Sequence, residues 1–346
     1  MRSFLKSATG FTGLLALAVT GCSPGSGPAA DTASAAPSAS AAGAAAPTAP
    51  TAGASTSYAP YVSATTASGT DSAGSPATYN LAFVISDGSR CTPKWNGDEA
   101  VGEKAVKSRI EALKKSGSTV RVSFGGASGK ELAAVCDSAS TLADAYGRAL
   151  DAAGSAQADF DIEGDELGDS ASVARRSQAI ERLQKQRPDL KVTYTLPVMP
   201  DGLDSDGLAL LASANTYDVQ VSAVNLMTMN YGESYTGDMG DYAVTAAKSA
   251  HAQLKKVFGL SDAAAWRGMA LTSMIGVNDI AGETFTLADA ARVRSFAEER
   301  EIAWVSMWSA FRDRQCAKGD PDGDDAATDC SGVTQEQGAF ARAFTG

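Results

Sequence analysis

Histidine is nearly absent: His251 is the only one among 346 residues. That scarcity excludes a histidine-rich metal centre and argues against a Ser-His-Asp triad. His251 itself lies in a polar helical stretch and reads as a surface side chain. The five cysteines include no CxxC pair and no neighbouring histidines, so zinc lacks its usual ligand set. Lys and Arg total 29 against 40 Asp and Glu, a formal net charge of −11, and they form no basic stripe. That balance excludes a nucleic-acid partner. No apolar run is long enough to cross a bilayer as a helix. Between residues 23 and 56 there is no large apolar side chain and one charge, Asp31.

The first residues have the order of a secretory signal: Arg2 and Lys6, an apolar stretch from Phe11 to Val19, then Thr20-Gly21-Cys22. Small residues directly before a cysteine resemble a lipobox, which implies that Cys22 is acylated. Residues 23–56, almost all Ala, Ser, Pro, Thr and Gly, cannot offset their ordering entropy by burial and are expected to form a tether. The expectation is a barrel held outside the cell membrane by its lipid, or secreted. Membrane contact would be through the lipid alone.

Residues 57–346 suit one large α/β domain. It contains Cys91, Cys136, Cys316 and Cys330, and export permits disulfides. Four cysteines allow three pairings. The sequence-local choice is Cys91–Cys136 with Cys316–Cys330, the latter closing an acidic loop.

Short apolar runs recur at Tyr58–Thr65, Tyr79–Ser86, Thr119–Phe124, Ala158–Glu163, Lys191–Pro197, Val224–Met229, Met269–Ile275 and Ile302–Trp308. Helical patterns separate several of them: Glu99–Ser116, Ser172–Gln186, Val244–Phe258 and Leu287–Glu299, the last with Thr286 or Asp289 near its start. Continuous apolar strands alternating with helices imply a parallel sheet covered on both faces, and eight of them match a (β/α)8 TIM barrel. Residues 66–78, rich in Gly, Ser and Thr, are too poor for a helix and predict a loop.

The fourth run is Asp159-Phe160-Asp161-Ile162-Glu163-Gly164. Strand side chains alternate, so Asp159, Asp161 and Glu163 share one face and Phe160 and Ile162 the other. Three carboxylates pointing into a barrel are costly to ionise together, so a proton is retained near neutrality. On Glu163, at the mouth, that proton suits a general acid.

These residues resemble the DxxDxDxE strand of glycoside hydrolase family 18, the chitinases and their relatives. Ser123-Phe124-Gly125-Gly126 resembles the family's SxGG element, Asn225 to Gly232 its sixth-strand segment, and Met307-Trp308-Ser309 its eighth-strand end. The resemblance implies a substrate-assisted, retaining hydrolysis of N-acetylglucosamine polymers. By it, Glu163 is the acid, Asp161 orients the acetamido group, Asp159 shares a proton with Asp161, Tyr231 bonds the acetamido oxygen and Trp308 floors the sugar. No cofactor or metal is implied, and a monomer binding chitin or N-acetylglucosamine oligosaccharides is expected. Asn230 and Met229 would line the substrate site with Ser123, Gly125 and Gly126.

Two positions depart from the pattern: Ala156 replaces the first Asp, and Asn230 the Asp beside the sixth-strand end. Asparagine keeps hydrogen bonding and loses charge. Trp95 is either a sugar platform at the mouth or a loop-packing residue. Asn278-Asp279 either reach substrate or make a turn. Trp266, Met227 and Met229 read as packing. Asp320, Asp322, Asp324 and Asp325 form an acidic loop without the bidentate Glu of an EF-hand. Two other readings stay open: an endo-β-N-acetylglucosaminidase on N-glycans, with the same strand motif, and a non-catalytic sugar-binding barrel.

Overall fold

The computed structural model describes residues 55–317, 325–326 and 328–346. The signal segment, Cys22, the tether up to residue 54, and Asp320, Asp322 and Asp324 lie outside the described residues.

The strands run β1 (Ser57–Tyr58), β2 (Tyr61–Ser63), β3 (Thr78–Ser86), β4 (Pro93–Trp95), β5 (Glu99–Ala100), β6 (Thr119–Gly125), β7 (Gln157–Asp161), β8 (Lys191–Pro197), β9 (Val221–Met227), β10 (Met269–Met274), β11 (Gly276–Val277), β12 (Thr284–Phe285) and β13 (Trp304–Trp308). The barrel follows the parallel order β2, β3, β6, β7, β8, β9, β10, β13 and β1. The expected first strand is split. β1 pairs with β13 and β2 with β3, so each half closes one seam of the ring. Pro60 lies between the halves and has no N–H to give a ladder. Residues 66–77 form turns rather than a helix. Arg109 anchors that crossover by an ion pair to Asp71 at 3.0 Å.

The helix expected from Glu99 begins only at Lys104, because Glu99–Ala100 pair with β4 in a hairpin. Thr286 caps the helix Leu287–Arg300 in a capping box with Asp289. Two helices not singled out by the sequence reading, Ala139–Ala153 and Ser205–Thr216, are capped by Ser138 and Asp204. The first buries Ala143, Ala145 and Ala149 beside Leu142, Tyr146 and Leu150. Small residues fill the helix–barrel gap there, so no clear apolar stripe stands out.

His251 is a correction. It is 7% exposed on the inner face of helix Met239–Phe258, in line with Ala247 and Leu254. Its ring stacks on Trp266 at 3.8 Å, and its Nε2 lies 3.0 Å from the Asp262 carbonyl. Both disulfides form as the local pairing expected: Cys91–Cys136 and Cys316–Cys330. They staple loops that leave the barrel's mouth.

Alternation along β7 sorts its side chains. Phe160 faces the helices and stacks on Phe124 at 5.3 Å, with Tyr146 edge-on at 5.0 Å. Asp159 and Asp161 face the barrel axis and are 1% and 5% exposed.

Candidate active site

The barrel interior below the mouth is polar. Asp159 accepts hydrogen bonds from Ser123 at 2.6 Å, Thr195 at 2.7 Å and Tyr61 at 2.9 Å. Asn225 donates to Thr195 and accepts from Thr272, extending the layer across the barrel. Burial raises the pKa of Asp159, and these donors together with Arg121 oppose the rise. Tyr61, Thr195 and Thr272 are new to the site, and Asn225, which opens the sixth-strand segment, gains a place in it. Scattered through apolar strands, the three new residues carry no signal until the barrel closes.

Above this layer opens a cavity of about 100 Å³. Asp161 and Glu163 form one wall, Trp308, Phe83 and Tyr61 another, and Met227, Met229, Asn230 and Asp279 the third. Trp308 stacks on Phe83 at 5.5 Å and meets Tyr61 edge-on at 5.9 Å. An indole held this way offers an apolar floor to the C–H face of a sugar. Phe83, in an unremarkable apolar strand, was missed.

Glu163 stands two residues past the end of β7, where strand pairing has ceased and the chain turns through Gly164 at φ 55°. Burial first, then the Asp279 carboxylate, push its pKa up to about 7. Asp161 is raised well above the usual range by burial, Glu163 and Asp159, and its Oδ1 has no hydrogen-bond partner. No hydrogen bond links Asp159 to Asp161. A half-buried acid that keeps its proton near neutrality beside a buried carboxylate can protonate a leaving oxygen.

The SxGG glycines permit close approach rather than line this cavity. Gly125 has φ 102°, and a Cβ there would sit 2.0 Å from the Asp161 carbonyl oxygen. Gly126 donates to that carbonyl at 2.9 Å, and a Cβ would meet the Phe83 ring at 2.9 Å. Ser123 lies beneath the cavity, on Asp159.

One expectation is corrected and two open alternatives are decided. Tyr231 does not line the cavity. Asn230, left-handed at φ 54°, redirects the chain, and the Tyr231 ring is 4% exposed, packed with Tyr235 and Tyr242 at 5.8 Å. Trp95 is fully buried, because β4 folds back antiparallel on β3; the packing alternative holds. Asn278 makes a turn, its Nδ2 donating to the Met274 and Gly276 carbonyls at 2.9 and 3.0 Å. Its neighbour Asp279 reaches the cavity instead. Among the described residues no group of three or more His, Cys, Asp or Glu could hold a metal ion.

No protein-family model matches the chain. It is 35% identical over 283 residues to an Escherichia coli protein described as "Probable bifunctional chitinase/lysozyme", covering 77% of this chain and 31% of that one. It is 34% identical over 252 residues to Endochitinase 11 of Metarhizium anisopliae, covering 69% of this chain and 48% of that one. The chain thus spans less than half the length of either relative. Among solved structures, the catalytic domain of the hyperthermophilic chitinase from Pyrococcus furiosus superposes with a TM-score of 0.73 at 26% identity, over 86% of this chain and 95% of that one. Catalytic-site mutants of the same chitinase with chito-oligosaccharides superpose equally well, at 0.73 and 27%. The described part of the chain is a (β/α)8 barrel similar in sequence and in fold to these chitinase catalytic domains.

Proposed function

We propose that this protein hydrolyses β-1,4 linkages within chitin or N-acetylglucosamine oligomers, by a retaining mechanism in which the substrate supplies the nucleophile. One arrangement carries the reading most directly: Glu163, its pKa pushed up to about 7 by burial and Asp279, opens into a cavity walled by Asp161 and floored by Trp308. The sugar to be cleaved rests on Trp308. Glu163 gives its proton to the glycosidic oxygen as the C–O bond breaks. The 2-acetamido oxygen bonds to the anomeric carbon, and Asp161 accepts the acetamido N–H and offsets the positive charge. Water then attacks the anomeric carbon, loses its proton to Glu163 and expels the acetamido oxygen. Asp159, held by three hydroxyl donors, supports Asp161 from below. Asn230 and Met229 border the acetamido side, and Tyr231 takes no part.

A lipid on Cys22 and the following tether would place this chemistry outside the membrane, where an insoluble polymer is met. The activity is tested by incubating the full chain and Glu163→Gln with N-acetylglucosamine oligomers and colloidal chitin. Cleavage with retained anomeric configuration, lost in the variant, is expected. Equal binding and no cleavage by both proteins would leave a sugar-binding barrel.

A further inference from the structure

The loop after β9 carries Met229 and Asn230 into the cavity, and the loop after β10 carries Asp279. Glu283 closes the second of these loops just before β12; it is 2% exposed and outside the cavity lining. Its Oε1 accepts the backbone N–H of Gly232 at 2.8 Å. The N–H groups of Asn230 and Tyr231 face the same carboxylate and favour its charge against burial, which raises its pKa. Asn230 at φ 54° and Gly232 at φ 117° turn the backbone so that these N–H groups converge, as in an anion nest. Glu283 is fixed in turn by its own backbone: its carbonyl accepts from Asn278 N and its N–H donates to the Ile280 carbonyl, both at 3.1 Å. That turn holds Asp279 at its tip. Across the top, Asn230 and Asp279 exchange hydrogen bonds of 3.0 and 3.1 Å.

We propose that Glu283 is a positioning residue of this active site, clamping the loop after β9 to the loop after β10 and so holding the Asn230–Asp279 pair beside Glu163. The clamp bears on catalysis only through the general-acid role proposed for Glu163. Its removal would free two loop tips to drift, and drift of Asp279 would change the field at Glu163. The other charged groups facing Glu163 are Asp161 on its own segment and, in the adjoining cavity, Lys130, Asp165, Glu166 and Asp169. Arg312 faces Asp279 from the β13 side. None of these is bonded to Glu283.

The test titrates Glu163 directly. In full-length protein carrying carbon-13 glutamate side chains, its signal is identified by its loss in Glu163→Gln. In Glu283→Gln the midpoint is expected to fall from about 7 by about one unit. Asp279→Asn should give a similar fall, and the double variant should fall no further, because both act through one charge. On substrate, Glu283→Gln should lose on the order of tenfold in kcat with less change in KM, as a small displacement would cause. An unchanged midpoint in Glu283→Gln, with Asp279→Asn lowering it, overturns the clamp. So does full additivity, which would mean that Glu283 acts by its own field. Should Glu283→Gln not fold, Glu283→Asp, which keeps the charge and retracts it, is read in the same way. The midpoint needs no turnover. Failure of the chitin assay would therefore sink the proposed activity and leave the titration to decide the clamp.

Discussion

Asn230 and Asp279, 49 residues apart, hold each other by two hydrogen bonds across the barrel mouth: the Asn230 amide donates to the Asp279 carboxylate, and its carbonyl accepts from the Asp279 backbone N–H. An amide can serve both bonds because it is donor and acceptor at once. The family pattern that the sequence resembles has a carboxylate where Asn230 stands; here Asn230 is instead bonded to a carboxylate, that of Asp279. Asn230→Asp would put two carboxylates in hydrogen-bond range, and they could not both ionise freely. The expected outcome is no gain in kcat and an alkaline limb of the kcat/KM profile moved to higher pH. A pH–rate series on an N-acetylglucosamine oligomer checks it; a rise in kcat would show that the charge belongs at position 230.

On the proposed activity, the alkaline limb of the parent protein is expected near pH 7, where Glu163 loses its proton. The same shift has a stability consequence. Folding raises this pKa from 4.5 to about 7. The native state therefore holds a proton that the unfolded state gives up, and stability declines as pH rises through that window. Glu163→Gln removes the decline. Its thermal stability should match the parent below about pH 4 and exceed it above pH 7, by no more than about 3 kcal/mol because the group is only partly buried. Melting curves at both pH values decide; a variant less stable than the parent at high pH would contradict the assignment of the shift to burial.

Trp308→Ala removes the floor of the cavity and its stack on Phe83. The expected loss is about 1–2 kcal/mol of sugar binding, roughly tenfold in KM. kcat should fall as well, since the sugar is no longer held against Glu163. Isothermal titration with an oligomer on the Glu163→Gln background separates binding from chemistry.

Gly125→Ala is expected to be severe. The Cβ would collide with the Asp161 carbonyl, and φ 102° is itself unfavourable for alanine. The cost is about 3 kcal/mol or more. Because β6 must retreat from β7, activity should be lost even in protein that remains folded. Denaturant melts and turnover measured on the same preparation test the two effects.

The disulfides close chain segments of different length, 45 residues apart for Cys91–Cys136 and 14 for Cys316–Cys330. By the chain-entropy model their removal costs about 4 and about 3 kcal/mol respectively. Paired Cys→Ser variants, compared by melting under non-reducing conditions, should rank in that order. The Cys316–Cys330 pair has a second effect: Arg312 donates to the Cys330, Val277 and Trp308 carbonyls, so loosening that loop should also raise KM.

The sequence by itself determined what depends on local periodicity. Strand alternation assigned Asp159 and Asp161 to one face of β7 and Phe160 to the other, because side chains on an extended chain must alternate. Runs of apolar residues located the barrel strands, and the four cysteines of the barrel offered the local pairing that forms. Tertiary structure alone decided which residues meet at the mouth. Loop conformation there depends on left-handed turns and buried hydrogen bonds that no period encodes, so Tyr231 turned inward at Asn230, Trp95 folded into the core and Asn278 became a turn. It also brought Asp279 to Glu163 and closed a polar ring of Tyr61, Thr195, Asn225 and Thr272 around Asp159. Those residues stand on different strands, and only closure of the barrel makes them neighbours.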